Sequence, residues 1–311
     1  MTEQFRVLIL GYGEMGRAME YLLKERWQLD IWEKYPRDGF QSVVLEDAAS
    51  RADIVLFCLP VNPHYEIIKQ IAPILKKACL CVSIAKGLDE EGQTAAQIFA
   101  SNFVSHQAYA LLYGPMISEE IRTGRYAFAQ LGCDDANIDS YQKIRDCFNG
   151  TRLYLEYTSD IIGISWSVIL KNVYAMVFGM ADELQLGDNM RGYLSVAALR
   201  ELDQVVRQMG GQAGSPYHLA GLGDLITTAT SEDSHHHELG RMLARGETSD
   251  IEGEGPHTLK MISQHQLLNI ADYPLFQLIA NIVKQPQNVH KRIDEYLKQE
   301  FFCPIISLSK F

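Results

Sequence analysis

The chain has 311 residues, of which 47% are hydrophobic and 22% charged, a composition typical of soluble globular proteins. This length exceeds that of most single domains, so we expect two. A formal net charge of -11 argues against nucleic acid and anionic membranes as partners. The first residues lack the parts of a signal peptide, and no apolar run reaches the length of a membrane span. We therefore expect a cytoplasmic protein, with its six cysteines buried as reduced thiols.

The chain begins with a short apolar run, three spaced glycines and a helical pattern. Residues 6–10 predict a buried strand, and the Gly-x-Gly-x-x-Gly turn after it predicts the phosphate site of a dinucleotide. The phosphates would lie at the free N–H groups of the following helix. The alternative is an ordinary glycine turn, but the flanking strand and helix supply the context that the motif requires. The residues expected at the cofactor phosphates are Gly11, Gly13, Glu14, Met15 and Gly16.

Glu33 ends the next predicted strand, 20 residues after Gly13. A carboxylate at this place usually accepts hydrogen bonds from the adenosine ribose and repels the extra phosphate of NADP. Lys34 and Arg37 follow directly and could offset that repulsion. We expect NAD as the cofactor, with NADP possible; the alternative is that Glu33 is a solvated strand end.

Apolar strand patterns alternate with helical patterns through the first half. The run of residues 54–59 predicts a central parallel strand, residues 64–76 a helix, and residues 79–83 a further strand. The alternation predicts an α/β fold, with an open, parallel, doubly wound Rossmann-like sheet that binds its ligand at the carboxyl ends of the strands. Pro60 and Lys86 follow two of those ends. Further strands are predicted at residues 108–112, 127–131 and 153–157, with a helix near 135–147.

The pattern changes after about residue 159. Helical spacing dominates residues 160–184 and 189–209, and residues 246–256 look like a polar loop. We predict a dinucleotide-binding domain over residues 1–158 and an all-helical C-terminal domain, carrying substrate and catalytic groups, over residues 159–311. The apolar tail at residues 301–306 is expected to pack on a domain.

Three residues are candidates for chemistry. Lys171 lies in an otherwise apolar helical pattern, where burial would lower the pKa of its amine; the alternative is a surface lysine with a buried stem. Asp224 lies in Gly221-Leu222-Gly223-Asp224-Leu225 and is either a buried partner or a plain helix cap. Lys86 is a cation expected to face the cofactor cleft.

Taken together, these segments make the chain resemble the NAD(P)-dependent glycerol-3-phosphate dehydrogenases over nearly its full length. The Lys-Asn pair and the Gly-Leu-Gly-Asp-Leu segment are the most specific part of the likeness. The resemblance implies reversible hydride transfer between dihydroxyacetone phosphate and sn-glycerol 3-phosphate. The matching segments are Gly11 to Gly16, Lys86-Gly87, Gly114-Pro115 with Glu120, Leu170-Lys171-Asn172-Val173, Gly187-Asp188-Asn189 and Gly221 to Leu225.

The resemblance also implies roles for individual residues. Lys171 would be the general acid and base, and Lys86 would stabilise the developing oxyanion while its charge keeps the pKa of Lys171 low. Asp224 would oppose that pKa shift, orient the lysine and accept a substrate hydroxyl. Further substrate contacts are expected from Asn172, Gly114, Thr228, Ser234, His235 and His236. Further cofactor contacts are expected from Glu33, Pro60, Lys86, Glu120 and Glu252.

The sequence departs from the family at the expected phosphate site. Ser234-His235-His236-His237 stands where the family has Ser-Arg-Asn-Arg, and Met116 replaces a serine or asparagine. Imidazole cannot reproduce the two-pronged contact of arginine with phosphate. Either the histidines and backbone N–H groups hold the phosphate, or the substrate is a different and even unphosphorylated hydroxy or keto compound.

Two further possibilities concern the class of protein. A non-catalytic dinucleotide-binding sensor is the alternative to an enzyme, but the joint presence of Lys86, Lys171, Asn172 and Asp224 disfavours it. A metal site at the histidines is also disfavoured, because adjacent side chains point in different directions. We expect no metal, a small and anionic substrate as the partner, and a homodimer on the strength of the family resemblance.

Overall fold

The computed structural model describes residues 5–103, 107–134, 138–231, 234–249 and 251–302. The chain divides into two compact units. The first, here called the sheet unit, comprises Met1–Ile169 and Asp203–Leu225; the second, here called the helical unit, comprises Leu170–Leu202 and Ile226–Phe311. The domain boundary that we expect after residue 158 stays a prediction.

The sheet unit is built on a mostly parallel sheet, which confirms the predicted α/β class. Among the described residues it has seven strands. They are β1 (Arg6–Leu10), β2 (Gln28–Trp32), β3 (Ile54–Phe57), β4 (Leu80–Ser83), β5 (Ala108–Tyr113), β6 (Ala127–Gly132) and β7 (Leu153–Thr158). Their order across the sheet is β2-β1-β3-β4-β5-β6-β7. Every residue of β3 and β4 is buried, as expected for central strands covered on both faces.

The helices of the sheet unit begin with α1, which buries Ala18, Met19 and Leu23 against the sheet core. The helix predicted over residues 64–76 ends earlier, at Ile71, because Pro73 has no backbone N–H to continue the helical hydrogen bonding. The first six helices are α1 (Glu14–Leu23), α2 (Leu45–Arg51), α3 (His64–Ile71), α4 (Ala95–Asn102), α5 (Ser118–Arg122) and α6 (Ile138–Phe148).

One pair of strands corrects the expectation of a wholly parallel sheet. β5 and β6 are antiparallel, with Leu112 opposite Leu131. The connection between them contains only α5, whose five residues span about 7.5 Å. Parallel strands are usually joined by a crossover helix that spans the length of the strands, and α5 is too short for that role. The chain therefore enters β6 from the carboxyl edge, where β5 ends.

The remaining helices are predicted well where they are long. The patterns at residues 160–184 and 189–209 correspond to α7 and α8, each displaced by one residue or less. The polar loop is shorter than expected, because α11 begins at Glu254 and accommodates Pro256 in its first turn. The helices are α7 (Ile161–Glu183), α8 (Asp188–Gln208), α9 (Asp224–Thr230), α10 (His235–Ala244), α11 (Glu254–His265), α12 (Pro274–Lys284) and α13 (Val289–Phe302).

The long helix α7 corrects a second expectation. By length and composition alone it could cross a membrane, with a mean hydropathy of 1.6 in its most apolar window. Of that window, 89% is buried inside the protein, which is typical of the core helix of a soluble protein.

The predicted packing of the tail concerns residues that lie mostly outside the described part of the chain; Phe301 and Phe302, at the end of α13, are exposed.

The cysteines fit the expectation of reduced thiols within the described residues. Cys79, Cys81, Cys133 and Cys147 are buried and free, and Cys58 is free and partly buried. Burial raises the pKa of the Cys58 thiol, so it stays protonated and unreactive at neutral pH. Cys303 lies outside the described residues.

Candidate active site

The glycine turn between β1 and α1 has the geometry that a dinucleotide requires. Gly11 has a φ of +91°, which an L side chain rarely adopts. A Cβ on Gly16 would overlap the carbonyl oxygen of Gly11, so only glycine permits this close packing. At Gly13, in contrast, an added Cβ would meet no atom within 4 Å, and the backbone borders open space. The residues present therefore fit a pyrophosphate at the start of α1.

Glu33 is held at the glycine turn. Its carboxylate accepts hydrogen bonds from the N–H groups of Tyr12 at 2.7 Å and Tyr35 at 3.3 Å. These bonds hold the carboxylate beside the glycine turn, where an acidic residue is expected to bind the adenosine ribose. Glu33 is therefore hydrogen-bonded and partly buried rather than fully solvated, and its role in cofactor binding stays a prediction.

A small cavity of about 270 Å³ adjoins Glu33. The rings of Tyr12 and Phe40 are stacked with centroids 4.5 Å apart, and Arg17 lies over the Tyr12 ring. Arg37 also lines the cavity. The sequence analysis did not identify Tyr12 and Phe40 as residues that line this cavity. The signal in the sequence was the aromatic residue between the first two glycines.

Lys86 and Asp224 form an ion pair within the sheet unit. The Lys86 amine lies 2.7 Å from Asp224 Oδ2 and also donates to the carbonyl oxygen of Gly114 at 3.2 Å. Asp224, the first residue of α9, has a side chain only 4% exposed. A buried carboxylate is costly unless it is paired, so Asp224 is a buried partner rather than a plain cap. The prediction that Asp224 orients Lys171 is not tested by this pair.

Gly114 is positioned for its carbonyl contact by close packing. A Cβ at this residue would lie 2.5 Å from the carbonyl oxygen of Phe128 on β6. The antiparallel arrangement of β5 and β6 thus brings the turn after β5 against the next strand. This packing leaves the Gly114 carbonyl facing the Lys86 amine.

Lys171 is buried within the helical unit. It is 4% exposed, and its amine donates a hydrogen bond to the hydroxyl of Thr228 at 2.5 Å. The interpretation as a surface lysine with a buried stem is therefore wrong. Its neighbour Asn172 is 2% exposed, and Thr228 is 8% exposed. Three of the predicted site residues are thus buried polar groups in one unit.

The three histidines point to different partners. His235 Nε2 donates to the carbonyl oxygen of Glu252 at 2.7 Å, and the His236 ring lies beside Gly255, which packs on the backbone of Asn172. His237 is buried and lies 2.7 Å from Asp182 Oδ2. His235 and His236 therefore lie near the segment of Glu252, whereas His237 fastens α10 to α7. Ser234 caps α10 by accepting from the His237 N–H.

The remaining predicted residues lie in less constrained places. Pro60 is exposed after β3, and Met116, which stands at the expected phosphate site, is buried in the core of the sheet unit. Glu120 forms a surface ion pair with Arg125 at 3.0 Å. Nothing in these contacts assigns Glu120 to the cofactor.

Glu254, the first residue of α11 and two residues after Glu252, has a perturbed pKa. Burial raises the pKa of Glu254 above its ordinary value, and His257 partly opposes the shift. Near the dinucleotide turn, the hydrogen bond to Glu20 raises the pKa of the Tyr12 hydroxyl. Chemically, the two units thus offer a glycine cradle for phosphates, a cation held on a buried carboxylate, and a buried amine able to give and take a proton.

Comparison with known proteins assigns these features to one family. Residues 34–139 match the model for the N-terminus of NAD-dependent glycerol-3-phosphate dehydrogenase, and residues 160–294 match the model for its C-terminus. A glycerol-3-phosphate dehydrogenase [NAD(P)+] from Mycobacterium avium is 32% identical over 269 residues, covering 79% of this chain and 78% of that protein. One from Thermosynechococcus vestitus is 29% identical over 291 residues, covering 89% of this chain and 91% of that protein.

The solved structures agree in fold. The glycerol-3-phosphate dehydrogenase of Coxiella burnetii superposes with a TM-score of 0.81 at 21% identity, covering 95% of this chain and 99% of that one. A ketopantoate reductase from Ralstonia eutropha shares the fold more distantly, with a TM-score of 0.55 at 16% identity, covering 94% of this chain and 99% of that one. From the family models and the mycobacterial relative, we conclude that this chain belongs to the NAD-dependent glycerol-3-phosphate dehydrogenase family.

Proposed function

We propose that this protein is an NAD(P)-dependent oxidoreductase that interconverts dihydroxyacetone phosphate and sn-glycerol 3-phosphate. The observation that carries the proposal is the buried Lys171 amine, bonded to Thr228, in a chain whose two halves match this family. A buried ammonium is retained against its desolvation cost where its proton is used or its charge is paired.

The reaction requires hydride at the ketone carbon and a proton on its oxygen. The nicotinamide supplies or accepts the hydride when bound. Lys171 gives its proton to the developing alkoxide and takes it back in the reverse direction. Thr228 accepts a hydrogen bond from the Lys171 amine and so holds it in one rotamer.

Lys86 contributes electrostatic stabilisation. Its amine is fixed by Asp224 and the Gly114 carbonyl, so it needs no reorganisation as negative charge develops on the substrate oxygen. Asp224 holds that amine in place. Asn172 completes the polar contacts to the substrate.

The substrate phosphate would lie near the start of α10. Ser234, His235 and His236 lie there, at a helix terminus whose dipole favours anions. His235 replaces an arginine of the family and already donates to the Glu252 carbonyl. This replacement supports a second candidate function, in which the same hydride chemistry acts on an unphosphorylated hydroxy or keto compound.

The proposal extends to the cofactor, the cellular location and the oligomeric state. Glu33 favours NAD over NADP, and the buried position of α7 is in keeping with a cytoplasmic enzyme that has no membrane span. By similarity to the family, the enzyme is proposed to act as a homodimer.

One assay separates the candidates. Loss of NADH absorbance is followed with dihydroxyacetone phosphate and, as the matched control, with dihydroxyacetone. Rapid oxidation with the phosphate alone supports the proposed reaction. Turnover with the unphosphorylated ketone alone supports the second candidate, and NADH binding without turnover of any ketone would contradict both.

A further inference from the structure

A buried imidazole connects two of the loops that border the proposed cofactor cleft. His64, the first residue of α3, is fully buried, with its ring packed 4.8 Å from that of Phe57 and 5.8 Å from that of Phe99. Its Nδ1 lies 3.0 Å from the carbonyl oxygen of Pro60, and its Nε2 lies 2.9 Å from the hydroxyl of Ser83. The proposed reaction gives this residue no part.

The partners of the ring determine which nitrogen carries the hydrogen. A carbonyl oxygen can only accept, so Nδ1 donates to Pro60. Burial lowers the pKa of His64 to about 4, so the ring is neutral at physiological pH and Nε2 must accept. The Ser83 hydroxyl therefore donates to Nε2, and its oxygen accepts the N–H of Ala85 at 3.1 Å. Every bond in the series has a fixed direction.

This series of bonds ends one residue before Lys86. Pro60 lies after β3, Ser83 ends β4, and Ala85 precedes Lys86 directly. Ser83 is fully buried, so its hydroxyl has no water to replace a lost partner. The two loops are thus joined by side-chain bonds beyond the end of the strand pairing, at the place where the Lys86 backbone leaves the sheet.

We propose that His64 and Ser83 are positioning residues that fix the backbone before Lys86 and thereby hold its amine on Asp224 and Gly114. The inference rests on the proposed function of Lys86. It means that the loop after β3 helps to determine where the Lys86 amine meets the substrate oxygen. His64 acts through its fixed tautomer and not by transferring a proton.

Three variants test this series of bonds. Ser83→Ala removes both the donor to His64 and the acceptor for Ala85, and His64→Leu removes the ring nitrogens. Each is expected to lower kcat by about tenfold to a hundredfold, the effect of a catalytic group displaced by about 1 Å. His64→Gln keeps one donor and one acceptor and should recover much of the loss. Ser140→Ala, at a buried serine on α6, is the matched control for folding and should leave kcat unchanged.

A double-mutant cycle separates positioning from plain structural support. If Ser83 acts through Lys86, then Ser83→Ala in a Lys86→Ala background should cause less than about a twofold further loss of kcat. An undiminished loss in that background would overturn the inference, as would unchanged kcat in both single variants.

A crystal structure of Ser83→Ala gives a measurement independent of turnover. The expected result is a Lys86 amine displaced from Asp224 by about 1 Å or more, relative to the 2.7 Å separation of the parent. An amine that stays in place would overturn the inference even if the enzyme proved active. Absence of turnover by the parent protein with any ketone would instead refute the proposed function, while the structure of the variant would still decide the question of positioning.

Discussion

The burial of Lys171 is the residue-level feature with the largest expected effect. An amine 4% exposed depends on its hydrogen bond to Thr228 for compensation, and it is the proposed proton donor. Lys171→Ala should lower kcat by about a hundredfold or more, since general acid catalysis contributes on that scale. The affinity for NADH, measured by fluorescence titration, should stay nearly the same.

The matched control for this variant is Lys298→Ala, at an exposed lysine of α13. It should leave both kcat and NADH affinity unchanged. Substantial activity in Lys171→Ala, with an intact thermal transition, would show that Lys171 is not the proton donor.

Glu33 determines the expected choice of cofactor. Its carboxylate is held by the N–H of Tyr12 at 2.7 Å, close to where the extra phosphate of NADP would lie. The KM for NADH should therefore be lower than that for NADPH, despite Arg17 and Arg37 in the adjacent cavity. Glu33→Gln should narrow the difference. A lower KM for NADPH in the parent protein would show that the arginines outweigh the carboxylate.

At the scale of elements, two glycines of the turn between β1 and α1 have different roles: Gly16 is needed for folding and Gly13 for cofactor binding. Gly16→Ala places a Cβ on the carbonyl oxygen of Gly11 and should lower Tm by several degrees, since a loss of about 1 kcal/mol shifts Tm by about 2–4 °C in a protein of this size. Gly13→Ala meets no atom within 4 Å and should keep the parent Tm while weakening NADH binding. Equal losses of Tm in the two variants would contradict this division.

The start of α12 is capped by a buried carboxylate. Glu201 accepts the N–H of Leu275 at 2.7 Å and of Phe276 at 2.9 Å, as well as the hydroxyl of Tyr174. Desolvation nevertheless raises the pKa of Glu201 to about 7, from 4.5 in an exposed glutamate. The folded state therefore binds more protons than the unfolded state between these two values.

The sign of the resulting pH dependence follows by linkage. The contribution of Glu201 to stability is fully present below pH 4.5 and is lost as the pH rises through about 7, by an amount on the order of 3 kcal/mol. The Tm of Glu201→Gln should thus improve relative to the parent between pH 5 and pH 8. The exposed control Glu66→Gln should show no such trend. If the Tm of the parent instead rose relative to that of Glu201→Gln with increasing pH, the raised pKa of Glu201 would be contradicted.

Much of the element structure could be predicted because the patterns are long or fully apolar. The runs that form β3 and β4, and the helical periods of α7 and α8, are unambiguous in the sequence. The direction of β6 could not be predicted, because it depends on the length of α5 rather than on any residue of the strand. The end of α3 was overestimated although Pro73 stood in the sequence.

At the scale of the whole molecule, pairings between distant residues limited the prediction. Lys86 and Asp224 are 138 residues apart, and no local pattern signals their ion pair. The apolar pattern around Lys171 indicated its burial, but its partner Thr228 is 57 residues away and has no local signal. The residue patterns identified these candidates, the family resemblance implied their roles, and the structure supplied their partners. The divergence of the three histidine side chains was expected because they are adjacent, but the partners of His235 and His237 were visible only in the fold.

The proposed reaction links both halves of the chain in one chemical event. The sheet unit supplies the glycine cradle and Lys86, and the helical unit supplies Lys171 and Thr228. The glycine turn would hold the cofactor, which would supply the hydride for the ketone carbon of the substrate. That transfer leaves a permanent isotopic mark when the transferred hydrogen is deuterium.

The most direct test is to incubate the protein with NADH deuterated at the transferable position of C4 and with dihydroxyacetone phosphate, and to examine the product by mass spectrometry and NMR. The account predicts sn-glycerol 3-phosphate carrying one deuterium at C2, and none from Lys171→Ala over the same time. Glycerol 3-phosphate without deuterium would contradict it. So would unchanged dihydroxyacetone phosphate if, in a parallel incubation, another ketone gave a deuterated product.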